Sequence, residues 1–167
     1  MTASERLIYC RRMKKTVYIG ADHAGFPLKE QLATYVRSLG YKVVDKGAAE
    51  LDLKDDYPDF GYAVASAVSA GKGIGILTCG SAQGVCMVAN KLRGVRAAAV
   101  FSIDEARLVR EHNDANVLCL SGWNTDPRKA KGIVKVFLET AASKEARHRR
   151  RVLKISKIEG KTMRAKK

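Results

Sequence analysis

The sequence predicts an α/β fold in three layers, with helices on both faces of a five-stranded parallel sheet and an extra helix at the C-terminus. Three observations predict it. Short runs of consecutive apolar residues recur along the chain, the pattern of strands buried on both faces. Between them lie stretches with apolar residues at helical spacing. The two kinds of segment alternate from Thr16 onward, the order that sets parallel strands side by side under crossover helices.

Taken in order, Val17-Tyr18-Ile19 is the first strand, and it ends at Gly20-Ala21-Asp22-His23-Ala24-Gly25. Pro27 suits the first turn of a helix. That helix runs to about Ser38, with Leu28, Leu32, Tyr35, Val36 and Leu39 on one face, and Gly40 stops it. Tyr41 to Val44 is the second strand, followed by an acidic loop, Glu50 to Asp59, that contains Tyr57-Pro58. Tyr62 to Ala70 reads as a helix. Ile74 to Thr78 is the third strand and runs into Cys79-Gly80-Ser81-Ala82-Gln83-Gly84, with a short helix, Val85 to Asn90, behind it. Val95 to Phe101 is the fourth strand, Ile103 to Glu111 a helix, Val117 to Leu120 the fifth strand and Pro127 to Ala141 a helix. A basic helix starts near Ser143.

A length of 167 residues suits one domain with a sizeable core. We divide the chain into a flexible leader, 1–12, a domain, 13–143, and a basic C-terminal helix and tail, 144–167. The net charge of +14 sits mostly on the ends. Residues 1–15 hold five Lys/Arg against one Glu, and residues 144–167 hold eleven against two Glu. Basic tails bind nucleic-acid phosphates weakly, but a solvated helix face accounts for this one, and nucleic acid is not expected as a partner. Arg6, Arg11 and Arg12 would suit an organelle presequence, but their segment is short and contains Glu5. No apolar run is long enough for a transmembrane helix. The four cysteines, Cys10, Cys79, Cys86 and Cys119, form no C-x-x-C pair and no metal-ligand spacing, so free thiols in a reducing, cytoplasmic compartment are expected, with no metal and no cofactor.

Chemistry concentrates in three places: Asp22-His23 after the first strand, Cys79 to Gly84 after the third, and Glu111-His112-Asn113-Asp114 before the fifth. In an open parallel sheet the first two loops emerge on one edge, the edge that binds ligands. Small residues at a helix start leave amides that suit an anion, and such a position also activates a thiol. One loop can thus supply a base and a hole for an oxyanion. The alternative, a tight turn with an inert buried cysteine, fits the spacing equally well. His23 and His112, each beside a polar neighbour, suit acid–base work or a structural hydrogen bond. Arg147 and Arg151, four apart, share a helix face and suit a phosphate, although a solvated basic helix would look the same. No Gly-Lys-Ser/Thr follows the Cys79 loop, and Gly71-Lys72-Gly73-Ile74-Gly75 precedes a strand instead of following one, so neither is a nucleotide-binding fingerprint.

The segments IGADHAGFPLKEQL, DYPDF, GILTCGSAQGVCMVANKLRGVRAA, EHNDANVLCLSG and EARHRRRVLKISKIE, in this order over about residues 13–159, closely resemble ribose-5-phosphate isomerase type B. The resemblance implies a Rossmann-like α/β/α sandwich and a metal-free interconversion of ribose 5-phosphate and ribulose 5-phosphate. It implies a homodimer or homotetramer whose active sites are shared between subunits, with the C-terminal helix packed on the partner. It makes Cys79 the proton acceptor; the glutamate that serves in another branch of the family is Val85 here. It makes His112 the ring-opening acid–base group, with Ser81 and the loop Gly80, Ala82, Gln83 and Gly84 as the anion hole. Asp22, His23, Tyr57 and Asn113 would bind substrate, and Arg147 and Arg151 would bind phosphate from the partner. The His of the His-Asn pair, lost in some galactose-6-phosphate isomerase subunits, is present as His112. Two positions depart from the family pattern. Ala82 replaces a glycine, and Trp123 replaces an arginine that helps hold phosphate, which leaves room for another sugar, such as galactose 6-phosphate or a tetrose phosphate, or for a non-catalytic binding protein.

Overall fold

The computed structural model describes residues 15–163; the leader, 1–12, and the end of the basic tail, 164–167, lie outside the described residues. Five parallel strands form one sheet in the order β2-β1-β3-β5-β4. They are β1 (Val17–Ala21), β2 (Val43–Asp45), β3 (Ile74–Cys79), β4 (Ala97–Ala99) and β5 (Val117–Ser121). Among the described residues, six helices connect and flank them: α1 (Phe26–Ser38), α2 (Tyr57–Ser69), α3 (Gln83–Ala89), α4 (Ile103–Asn113), α5 (Pro127–Glu139) and α6 (Ala146–Thr162).

Why the central strands read as unbroken apolar runs is plain from their packing. All six residues of β3 and all five of β5 are buried. Ile74, Ile76, Leu118 and Leu120 point to one face, where Leu28, Leu32 and Val36 of α1, Ala106 of α4, and Ile133, Val134 and Phe137 of α5 cover them. Leu77, Cys79, Val117 and Cys119 point to the other, against Val64, Ala65 and Val68 of α2 and Val85 and Ala89 of α3. Each such side chain contributes about 1.5–3 kcal/mol by leaving water, so the two faces together hold the sheet in place.

The elements follow the sequence pattern, with shifts at their ends. β4 is the three alanines 97–99 instead of 95–101, and β2 begins at Val43, not Tyr41. α2 starts at Tyr57, because Pro58 sits in its first turn and lacks only an N–H that would go unbonded there. α3 starts at Gln83, α5 ends at Glu139 and α6 begins at Ala146. α4 is closed at its start by a capping box between Ser102 and Glu105. It runs on to Asn113, so His112 and Asn113 stand on its last turn and not in a loop.

Lys29 breaks the expected face of α1, since it is fully buried. Its ammonium bonds Asp45 at 2.8 Å, Glu30 at 2.9 Å and the Ala48 carbonyl at 2.9 Å, tying α1 to the end of β2. α6 lies on α4 and reaches back with Glu159 to the Gly94 amide, 3.2 Å away. His148 is the buried residue of α6, whereas Leu153, Ile155 and Ile158 lie exposed.

Candidate active site

The topology itself makes a crevice. The chain leaves β1 for α1 on one face of the sheet and leaves neighbouring β3 for α3 on the other, so their carboxyl ends part where no helix covers them. Pairing of Ala21 with Thr78 brings Asp22 level with Cys79. A cavity of about 440 Å³ opens there, walled by Asp22, His23, Ala24, Tyr57, Cys79, Gly80, Ser81, Gly84, Met87 and Trp123.

The first arm is the turn after β1. Asp22 is buried, and its Oδ1 accepts the Gly25 amide at 2.9 Å. Burial pushes the Asp22 carboxyl above its ordinary pKa, with the Gly25 amide opposing. Gly25 presses on β3 so closely that a Cβ would lie 2.4 Å from the Thr78 carbonyl, and the Thr78 hydroxyl donates to Gly25 O at 3.0 Å. His23 is held twice by Asp55: its backbone amide donates to Oδ1 at 3.0 Å and its ring Nδ1 lies 2.7 Å from the same oxygen. That carboxylate raises the pKa of His23.

The second arm is the loop after β3. Cys79 is 4% exposed and closes the cavity floor while its flank packs into the α2–α3 side of the core. The carbonyls of Cys79 and Gly80 are engaged from the β5 side by the amides of Gly122 (2.8 Å) and Trp123 (3.2 Å), and Gly80 O also accepts the Ser121 hydroxyl at 2.6 Å. Ala82 takes the left-handed conformation, φ 70°, with its methyl fully buried. Ser81 is exposed at the wall. Gly80 and Gly84 carry no side chain because rings lie on them: a Cβ would stand 2.6 Å from the Trp123 indole and 2.7 Å from the Tyr57 ring, respectively. Trp123 is itself 72% exposed. Ala82 and Gln83 do not wall the cavity; Gln83 faces solvent.

The remaining expected residues gather elsewhere on the chain. His112 lines a hollow of about 310 Å³ with His148, Arg149, Val152 and Leu153. Its ring stacks on His148, centroids 4.2 Å apart and 2° from parallel. Burial, and then His112, lower the pKa of His148. Asn113 faces a third hollow beside Ile155 and Ile158. Arg147 and Arg151 are exposed on α6, where Arg147 pairs with Glu145 at 2.7 Å. Sequence reasoning missed Asp55, which nothing distinguishes from the other acids of its loop, and His148, hidden within an arginine run. Among the side chains walling the Cys79 cavity, His23 is the one that can carry positive charge. Among the described residues no cluster of three or more His, Cys, Asp or Glu could hold a metal ion, and no helix is long and apolar enough to cross a membrane.

A family model described as Ribose/Galactose Isomerase matches residues 17–155. The chain is 44% identical over 153 residues to a probable ribose-5-phosphate isomerase B of Mycoplasma genitalium, covering 90% of this chain and 99% of that one. It is 38% identical over 148 residues to ribose-5-phosphate isomerase B of Escherichia coli, covering 88% and 97%. Among solved structures, the Mycoplasma genitalium enzyme with bound ribulose-5-phosphate superposes with a TM-score of 0.86 at 42% identity, over 90% of this chain and 100% of that one. The type B ribose 5-phosphate isomerase of Trypanosoma brucei gives 0.84 at 43%, over 87% and 99%.

Proposed function

The chain belongs to the ribose/galactose isomerase family, and from that premise we propose that it interconverts ribose 5-phosphate and ribulose 5-phosphate with Cys79 as the proton-transferring base. The observation that carries the reading is convergence: Asp22-His23 and Cys79-Ser81, far apart in sequence, wall one cavity at the open edge between β1 and β3. A thiol on the floor of that cavity and a hydroxyl at its wall suit proton transfer between adjacent carbons beside a developing oxyanion.

The reaction runs as follows. An acid–base group, His112, opens the sugar ring. Cys79 as thiolate takes the C2 proton of the open aldose, which is acidic because it lies next to the carbonyl, and leaves an enediolate. Ser81 and the amides of 80–84 stabilise its oxygen; losing one such donor raises a barrier by about 3 kcal/mol. Once the proton on O2 has passed to O1, returning the proton from Cys79 to C1 gives the ketose. Asp22 and His23 hold sugar hydroxyls, and Asp55 keeps His23 oriented and disposed to charge.

This chemistry needs His112 and the phosphate-binding arginines, and all lie outside the Cys79 cavity of the same chain. A second copy supplies them: His112, Asn113, Arg147 and Arg151 of one subunit complete the cavity of its partner. The single cationizable side chain in the cavity and the exposed Leu153, Ile155 and Ile158 on α6 support that arrangement. A soluble metabolite and free thiols at Cys79, Cys86 and Cys119 suit the cytoplasm.

Cys79→Ala should abolish turnover of ribose 5-phosphate in a coupled assay while the circular dichroism spectrum and substrate binding persist. Retained turnover refutes the base assignment. A second reading, a different sugar or sugar phosphate, is favoured by Trp123, whose indole walls the cavity where a guanidinium would suit phosphate. A panel of tetrose, pentose and hexose phosphates separates the two by kcat/KM.

A further inference from the structure

Two imidazoles lie face to face where the end of α4 meets the start of α6. His112, half-buried on the last turn of α4, stacks on His148 with ring centroids 4.2 Å apart and planes 2° from parallel. His148 is 4% exposed and belongs to the first turn of α6. Its Nε2 accepts the Nε–H of Arg147 at 3.2 Å, and Glu145 Oε2 lies 2.7 Å from that same Arg147 nitrogen. With Nε engaged, the guanidinium keeps its two Nη groups for an anion, the fork that fits a phosphate. The Ser143 amide donates to Glu111 O at 3.0 Å and pins the chain entering α6 to the same turn of α4. One buried ring therefore touches two of the groups that the shared-site reading lends to the partner, the acid–base histidine and a phosphate-binding arginine.

The ring makes both contacts only in its neutral form. An imidazole whose Nε2 accepts from a guanidinium carries its proton on Nδ1, and Nδ1 is buried with no hydrogen-bond partner among the described residues. Facing it are His112 and Glu111 on α4, and Glu145, Arg147 and Arg151 on its own segment. Burial first, then His112, Arg147 and Arg151, disfavour a second proton; Glu145, 3.7 Å from Nε2, opposes them. A neutral plate lets His112 gain and lose a proton with no like charge stacked on it. We propose that His148 is a positioning residue for the isomerisation: it sets the His112 ring by stacking and the Arg147 guanidinium by accepting its Nε–H, so that one subunit presents acid–base group and phosphate fork at a fixed spacing. The roles of His112 and Arg147 rest on the isomerase reading; the two contacts do not.

Two variants of the full chain separate the contacts. His148→Phe keeps a flat ring under His112 and loses the acceptor. His148→Gln keeps an acceptor at the place of Nε2 and loses the ring. In a coupled assay with ribose 5-phosphate, His148→Gln should lower kcat about 100-fold, the cost of misplacing a reacting group by ~1 Å, with KM near wild type. His148→Phe should hold kcat and raise KM about tenfold, the worth of one hydrogen bond to a charged group. Without substrate, the NMR signals of the His112 ring protons, identified by their loss in His112→Gln, should keep the upfield shift of a stacked ring in His148→Phe and lose it in His148→Gln. Changes of the same size in both variants, in kcat and KM alike, are those of a merely structural residue and overturn the proposal, as does an unmoved His112 spectrum in His148→Gln. If His148→Phe does not fold, His148→Gln must still show the fallen kcat at unchanged KM together with the lost shift. A chain that gives both spectral results and never turns over ribose 5-phosphate upholds His148 as the residue that positions His112 and sinks the substrate instead.

Discussion

Asp55 approaches His23 through one oxygen that serves both the backbone amide and the ring. Such a carboxylate favours the imidazolium, so His23 titrates above the ordinary 6.5. The linkage sign follows: stability from this pair is complete below about pH 6.5 and fades as pH rises through the raised folded value. An NMR titration of the His23 ring should show a midpoint above 6.5 that drops toward it in Asp55→Asn; an unmoved midpoint removes Asp55 as the cause. His148 has the opposite tendency, since burial favours its neutral ring. At this scale the sequence was partly legible. Asp22, His23 and Cys79 stood out because each ends a strand pattern, and the loop that binds His23 could not be told from any acidic surface loop. Only the fold brings residue 55 back to residue 23.

Among elements, the loop from Cys79 into α3 is the one most at odds with local rules. A left-handed alanine costs about 1–2 kcal/mol relative to right-handed backbone. Glycine would relieve that, but it would lose a buried methyl, about 0.8 kcal/mol, and add about 0.5–1 kcal/mol of unfolded-chain freedom. The two sides nearly cancel, so Ala82→Gly should change stability by less than about 1 kcal/mol in urea unfolding. Ala82→Val, branched at Cβ in a conformation that rejects branching and in a filled core, should destabilise by more than about 2 kcal/mol. Equal midpoints for the two variants contradict the left-handed assignment. Element identities were readable because apolar runs and helical spacing are strong signals. Ends were not: Pro58 reads as a loop residue until a helix is seen to begin beside it, and β4 pairs along only the three alanines, however apolar its flanks.

For the whole molecule, the expected site residues fall into two groups on one chain, and the proposal joins them across two. Cys79→Ala and His112→Gln each damage a different half. Mixed under conditions of subunit exchange, the two inactive variants should recover about a quarter of wild-type activity, because half the dimers are mixed and each mixed dimer has one intact site. No recovery despite demonstrated exchange refutes the shared site. Nothing in a single sequence announces such sharing by itself, since helical spacing reports on neighbours within a chain; resemblance supplied the expectation. The clasp of Gly25 on Thr78 carries a last implication. It welds the carboxylate–imidazole side of the crevice to the sulfur side, so the gap between them behaves as a fixed gauge. Any drift of the protein toward longer or shorter sugars must then be written on the other walls, in Tyr57, Met87 and Trp123, while the welded bank stays unchanged.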